Sequence, residues 1–246
     1  MKRVRFRDKA GSERFGELIG ETIDSGNGKH HIEEVDVLPP CSPTKIVGAG
    51  GNNARHLEQM DLEPPNDPDI FLKPPNTVTG YGDTIPLPVN EEYFGYEVEL
   101  GVVIGSQCRN VSKDQAMDFV DGFTCVNDIT RRGKDGSHEM DSRVLTKTFD
   151  NTTSIGPAIA DKDMVPDNAE IELYLNGNRK QHGYRTDMVF STPEIIEYAS
   201  GIFTLEPGDL ILTGTPPKPG KLKDGDHIEL EIEGVGRHHH YVVDEG

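Results

Sequence analysis

The chain of 246 residues reads as a β-rich, mixed α/β fold. Three observations predict this. Short apolar alternations recur along its length, clusters of Gly, Pro, Asn and Asp punctuate them, and the few helical patterns are short. Strand and helix do not alternate regularly, so a doubly wound parallel sheet is disfavoured. No internal repeat or low-complexity tract is visible.

The elements follow in order. MKRVRFRD alternates as a strand, FGELIGETI reads as a second, and Asp24-Ser25-Gly26-Asn27-Gly28 is a turn. Val37-Leu38-Pro39-Pro40 ends this N-terminal piece, with Cys41-Ser42-Pro43 as the linker. Lys45–Ala49 is a short strand running into Gly48, Gly50 and Gly51. Asn52 is placed to cap a helix over Ala54–Met60, and the Pro64–Pro68 stretch breaks it. Ile70–Lys73 is a strand and Gly80–Asp83 a turn. Tyr96–Ile104 is a strong strand. Ser112 with Gln115 three residues on begins a helix whose apolar face is Ala116, Met117, Phe119 and Val120. Phe123–Asp128 is a strand. Ile171–Leu175 and the Asn176-Gly177-Asn178 turn open a hairpin. Thr192, with Pro193 at the first helical position, starts a helix that Gly201 can close. Leu210–Thr213 and Ile228–Ile232 are strands.

Composition excludes several functions. The chain has 25 Lys+Arg against 43 Asp+Glu, a formal net charge of −18. That disfavours a nucleic-acid binder and docking on anionic lipid, since both need a basic face. Apolar runs are far below the roughly 20 residues that span a bilayer. The basic N-terminus lacks an apolar stretch after it, so no secretory signal is expected. Three widely spaced cysteines form no CxxC pair, and a reducing cytoplasm is the expected location. Hydrophobic residues are 34% of the chain, which predicts a modest core. The acidity fits a protein of a high-salt cytoplasm, where about 1 M salt cuts the screening length to about 3 Å. An ordinary acidic enzyme is the alternative. A melting temperature that does not rise with KCl would exclude the halophile.

The sharpest chemical feature is Glu97-Val98-Glu99 in YEVELGVVIG. Residues i and i+2 of a strand share a face, so two carboxylates lie side by side. Val98, Leu100, Val102 and Ile104 form an apolar stripe on the other face. Adjacent carboxylates repel unless one is protonated or a cation intervenes, and an oxygen-only set suits Mg²⁺ or Mn²⁺. A solvated strand face is the plainer alternative. Asp128 ends FTCVND and is a third candidate ligand. Arg131, Arg132 and Lys147 add cations, which suggest an anionic ligand beside the metal. Asp128 could equally serve a turn, and Lys147 the surface. His56 follows the Gly-rich GAGGNN, where a short helix could act as a lid or merely expose a histidine. TGTPP places threonine hydroxyls on a tight turn, for ligand contact or turn geometry. His238-His239-His240 reads as the start of a last strand, not as a metal tract.

Taken in order, FLKPP at 71–75, YEVELGVVIG, VNDITRR, LTKTFD, FSTPEIIEYAS and GDLILTGTPP resemble the fumarylacetoacetate hydrolase (FAH) family over about 45–243. The resemblance implies a FAH-type fold around a rolled mixed β-sheet with short helices. Residues 1–41 would be a small N-terminal β region and residues 42–246 the FAH-like catalytic domain. It implies a homodimer and a Mg²⁺ or Mn²⁺ site holding a small-molecule 2-oxo acid. By motif position, Glu97, Glu99 and Asp128 would ligate the metal. Arg132, Lys147 and Thr215 would surround the substrate, with Lys147 stabilising developing charge, and His56 would be the lid base. The implied activity is C–C hydrolysis of a β-diketo or 2-oxo acid such as an acylpyruvate, of the kind met in aromatic catabolism. Oxaloacetate-type decarboxylation and 2-hydroxyhepta-2,4-diene-1,7-dioate-type isomerisation are alternatives on the same site. A catalytically silent metal and oxo-acid binder is another.

The chain departs from the family pattern in three places. Asn52-Asn53 stands where Asn-Tyr is common. Thr130-Arg131-Arg132-Gly133 stands where Thr-Ala-Arg-Asp is frequent, which implies an altered pocket. Gln59 stands three residues after His56, where hydrolytic members usually place Glu. That change favours decarboxylation or isomerisation, which need no activated water.

Overall fold

A computed structural model describes residues 1–90, 92–133 and 142–246. The described residues form a sheet-rich α/β fold whose α-helices, at 4 to 11 residues, are short. The largest sheet is mixed. Its core runs from Thr153–Ala160 through Val120–Asp128, Val98–Ile104 and Leu210–Leu212 to Ile46–Gly50 and Asp69–Lys73. The last of these strands is an edge, so the sheet is not a closed barrel. A five-stranded sheet, containing Asn178–Tyr184, Glu170–Leu175, His227–Ile232 and Gly236–Asp244, packs against it. A three-stranded sheet joins Thr130–Arg132, Tyr93–Tyr96 and Gly220–Lys221 beside the cleft.

The alternation in Val98–Ile104 explains how the layers meet. Val98, Leu100, Val102 and Ile104 join Ile171, Leu173, Ile228 and Leu230 in the main core cluster. Val103 lies on the opposite face with Val126, Leu210 and Leu212. Each such side chain contributes about 1.5–3 kcal/mol by burial. A one-residue slip would bring Glu99 to the apolar interface, so register is strongly specified.

The N-terminal strands extend the large sheet. Lys2–Arg7 pairs antiparallel with Thr153–Ala160, and Val4, Phe6, Leu18 and Ile23 close over Ala158 in a separate cluster.

Several elements differ from expectation. The Tyr96–Ile104 strand is interrupted at Glu97, leaving Tyr93–Tyr96 and Val98–Ile104 in different sheets. The cause is hydrogen bonding to side chains. Glu97 N–H donates to Asn127 Oδ1 at 2.8 Å, and Val98 N–H to Gln181 Oε1 at 3.0 Å. The segment at 15–23 is two strands, Glu13–Ile19 and Thr22–Asp24, because Gly20 at φ 60° turns the chain. The helix after Ser112 covers only Lys113–Ala116, and Val120 already belongs to a strand. Asn53, not Asn52, caps Ala54–Gln59 by accepting from His56 N–H at 3.0 Å. Gly201 lies inside Thr192–Ile202, whose start is a capping box of Ser191 and Glu194. No helix among the described residues is long and apolar enough to cross a membrane.

Candidate active site and metal centre

Glu97, Glu99 and Asp128 converge. Each offers a carboxylate oxygen, and these atoms lie within 4.8 Å of one another in a buried position. Asp128 arrives at the end of Val120–Asp128, Glu99 from within the neighbouring strand, and Glu97 from the break that precedes it. Lys147, at the end of the short helix Arg143–Lys147, reaches across them. Its Nζ donates to Asp128 Oδ2 at 2.5 Å, to Glu97 Oε2 at 3.0 Å and to Thr130 Oγ1 at 2.6 Å. Arg132 Nη2 donates to Glu97 Oε1 at 2.5 Å. The predicted ligands therefore share one cluster with two of the three predicted cations, whereas Arg131 pairs with Glu92 instead.

Lys73 completes it, although sequence reading gave that residue no role. It is fully buried and donates to Asp128 Oδ1 at 2.5 Å and to the Thr152 carbonyl at 2.8 Å. The available signal was a lysine in step with Phe71 on Asp69–Lys73, because a buried lysine needs a partner. Phe71 forms part of the floor, with Lys147 Nζ 4.8 Å from its ring centroid. Gly48 on the adjacent strand makes room for that ring, since a Cβ there would run into it. Gly214, at φ 103°, aims its N–H at Glu99 Oε2 at 2.6 Å. This main-chain donor was also missed.

The electrostatics divide the carboxylates. Burial opposes ionisation of Glu97, but Lys147 and Arg132 outweigh it and hold the group at about 2. Burial, reinforced by Asp128 and Glu97, pushes Glu99 well above the ordinary carboxyl value. Burial likewise opposes the charge on Lys147, yet Asp128, Glu97 and Glu99 raise it above an ordinary lysine. Among the described residues no ion pair reaches Glu99. A hard divalent cation fits this arrangement. It would take three oxygen ligands and give Glu99 the direct counter-charge that no described residue places at ion-pair distance.

The cluster lies beneath a cavity of about 480 Å³, which His56 and Thr215 also line. Leu57, Met60 and Phe71 contribute apolar wall. His56 is 7% exposed on its helix, and burial holds its imidazole below the ordinary value. Gln59 donates no charge there, and its Oε1 accepts from Lys218 N–H at 2.9 Å. Asn52 ties the Gly-rich turn to the rest by bonding Phe190 and the Thr213 carbonyl. Thr213 itself donates to the Leu100 carbonyl, a structural contact, whereas Thr215 accepts from Gln181. His238, His239 and His240 lie in the strand Gly236–Asp244. Among the described residues they form no metal-capable group.

This combination of fold and site has counterparts. Residues 45–243 match the family model "Fumarylacetoacetate (FAA) hydrolase C-terminal". The chain belongs to the fumarylacetoacetate hydrolase family. It is 42% identical over 182 residues to the 4-hydroxyphenylacetate degradation bifunctional isomerase/decarboxylase of Escherichia coli, covering 73% of this chain and 42% of that protein. Its fold resembles the crystal structure of 5-carboxymethyl-2-hydroxymuconate delta-isomerase from Mycobacterium smegmatis, with a TM-score of 0.89 and 30% identity over the whole of both chains. It also resembles maleylpyruvate hydrolase from Sphingobium sp. SYK-6 in complex with manganese(II) and pyruvate, with a TM-score of 0.84 and 29% identity over the whole of both chains. Family members are thus enzymes of hydrolase, isomerase and decarboxylase type, and a divalent metal is bound in one of them.

Proposed function

We propose that this chain is a Mg²⁺- or Mn²⁺-dependent enzyme that cleaves a C–C bond in a β-diketo or 2-oxo acid of the acylpyruvate type. The supporting observation is the convergence of three buried carboxylates, one of them without an ion pair among the described residues, beneath a cavity that His56 lines. Glu97, Glu99 and Asp128 hold the metal, which polarises the 2-oxo group as a Lewis acid. Arg132 and Thr215 face the substrate carboxylate. His56, kept neutral at pH 7 by burial, takes a proton from water. The water oxygen bonds to the acyl carbon, and the C–C bond breaks. Its electron pair passes into the enolate of the pyruvate half. Lys147 offsets that developing charge, and a proton then closes the reaction to a carboxylate and pyruvate.

Gln59 favours a second reading. No carboxylate occupies that place beside His56, so decarboxylation or isomerisation, which need no activated water, fit the same pocket. The manganese and pyruvate of the Sphingobium enzyme support the first reading, and the name of the Escherichia coli relative the second. Acylpyruvates, oxaloacetate and a dienoic 2-hydroxy diacid, each assayed with Mg²⁺ and Mn²⁺ and with product identification, test both. Metal-dependent release of pyruvate and a carboxylate from acylpyruvates is expected. Carbon dioxide or an isomer as the sole product would select the second reading. Metal binding without turnover of any of them would leave a silent binder.

A further inference from the structure

We infer that Gln181 is a positioning residue: its amide fixes the Thr215 hydroxyl as a hydrogen-bond donor to an anionic oxygen in the cavity. Gln181 lies in Asn178–Tyr184 of the second sheet and is 1% exposed. Its Oε1 accepts from Val98 N–H at 3.0 Å, and its Nε2 donates to the Pro216 carbonyl at 2.7 Å. A main-chain N–H can only donate and a carbonyl can only accept, so these two partners allow one orientation of the amide. The remaining contact, 2.9 Å between Nε2 and Thr215 Oγ1, is therefore N–H to hydroxyl oxygen.

The consequence lies in Thr215. A hydroxyl carries one proton and two lone pairs. Gln181 occupies a lone pair, and among the described residues nothing accepts the proton. Thr215 lines the cavity beside Glu97 and Glu99. Its proton is directed to whatever enters, and the favoured partner is an oxygen that only accepts, such as a carboxylate. The same amide secures the backbone next to Glu97, since Val98 N–H is held by Gln181 just as Glu97 N–H is held by Asn127. One buried side chain from the second sheet thus sets the polarity of the substrate contact and its distance from a metal ligand.

This inference rests on the reading of the cavity as an oxo-acid site, and its test separates the two. Oxalate, an acceptor-only dianion, is titrated calorimetrically into the full chain at saturating Mn²⁺. Thr215→Val and Gln181→Met should each weaken oxalate on the order of 10-fold to 100-fold, the worth of a hydrogen bond to a charged group. The double variant should lose little beyond the larger single loss, because both remove one donor. Thr215→Ser should bind as the wild type does. If Gln181→Met does not fold, Gln181→Glu replaces it. Its carboxyl, protonated against the Pro216 carbonyl, still accepts from Val98 N–H but has no proton left for Thr215 and draws the Thr215 proton away from the cavity, so oxalate should weaken and Thr215→Val should add nothing. Wild-type affinity in the Gln181 variants, or losses that add in full, would overturn the inference alone. A wild-type chain that binds Mn²⁺ but no oxalate would overturn the oxo-acid reading and this inference with it.

Discussion

Asn127 and Asp128 are neighbours at the end of one strand, and they serve opposite faces of it. Asp128 faces the cleft, where carboxylates stand against Lys73, Lys147 and Arg132. Asn127 faces the second sheet, where Nδ2 donates to His240 Nε2 at 2.9 Å, and His238 bonds Ser154 Oγ at 2.7 Å nearby. Both regions bury ionisable groups, and charged neighbours decide whether the charge survives. In the cleft, counter-charges overcome desolvation and keep Glu97 ionised at about 2. Between the sheets no acidic partner among the described residues is at hand, and burial drives His240 down to about 3 and His238 well below an ordinary histidine. Burial alone discharges a group, whereas burial with a partner preserves its charge. That contrast marks the cleft as the place for charged ligands and the inter-sheet histidines as structural.

Removing Lys147 should have the largest effect. Lys147→Met leaves Glu97 and Asp128 without their shared cation, so urea denaturation should show a loss of about 3–5 kcal/mol. Turnover should fall on the order of 10²–10³. A fully stable, fully active variant would erase the distinction between the two regions. Lys73→Met comes next. It touches Asp128 but does not line the cavity, so Mn²⁺ affinity should fall about 10- to 100-fold, as for groups that orient a metal ligand. Isothermal titration measures this directly.

Acid titration separates the two faces by pH window. The folded His240 sits near 3, while an unfolded histidine titrates near about 6.5. Between these values the unfolded chain binds the additional proton, so stability is full above about 6.5 and falls as pH drops towards 3. Glu97, depressed to about 2, should start to cost stability only below the ordinary carboxyl range of about 4.3. Urea melts at stepped pH should therefore show a loss beginning on the histidine limb, and His240→Gln should reduce its slope. A slope left unchanged by His240→Gln would contradict the discharged histidine, whereas the raised Glu99 acts in the opposite sense in both proteins.

The smallest effect is expected at the other cluster with metal-compatible spacing, Glu170, Glu172 and His182. Here His182 already pairs with Glu170 at 2.6 Å, and Arg179 and Tyr174 hold Glu172. Arg179 is about half exposed, so His182→Ala or Arg179→Ala should change stability by about 0–1 kcal/mol. Mn²⁺ titration should be unaltered in both. Weakened Mn²⁺ binding would show that spacing outweighs burial in defining a metal site here.

Much of the site was legible in the chain because its signals are local. The Glu97-Val98-Glu99 alternation, the strand ending at Asp128 and the order of the motifs need no partner to be recognised. Lys73 and Gln181 were harder to assign. Their roles depend on residues far along the chain, 55 positions for Lys73 to Asp128 and 83 for Gln181 to Val98. The break at Glu97 was hidden for the same reason. An apolar alternation predicts continuous pairing, and only the amides of Asn127 and Gln181, brought from two other strands, divert the N–H groups from the ladder.

By itself the amino-acid sequence determined the β-rich class, the apolar stripe opposite the glutamates and the acids capable of holding a cation. Side-chain type and a period of two residues suffice for these. The tertiary structure decided which cation faces which acid, which carboxylate burial drives towards its neutral form, and which histidines lose their charge. Those outcomes depend on desolvation and distances of a few ångströms between strands remote in the chain, and neither is encoded in local periodicity.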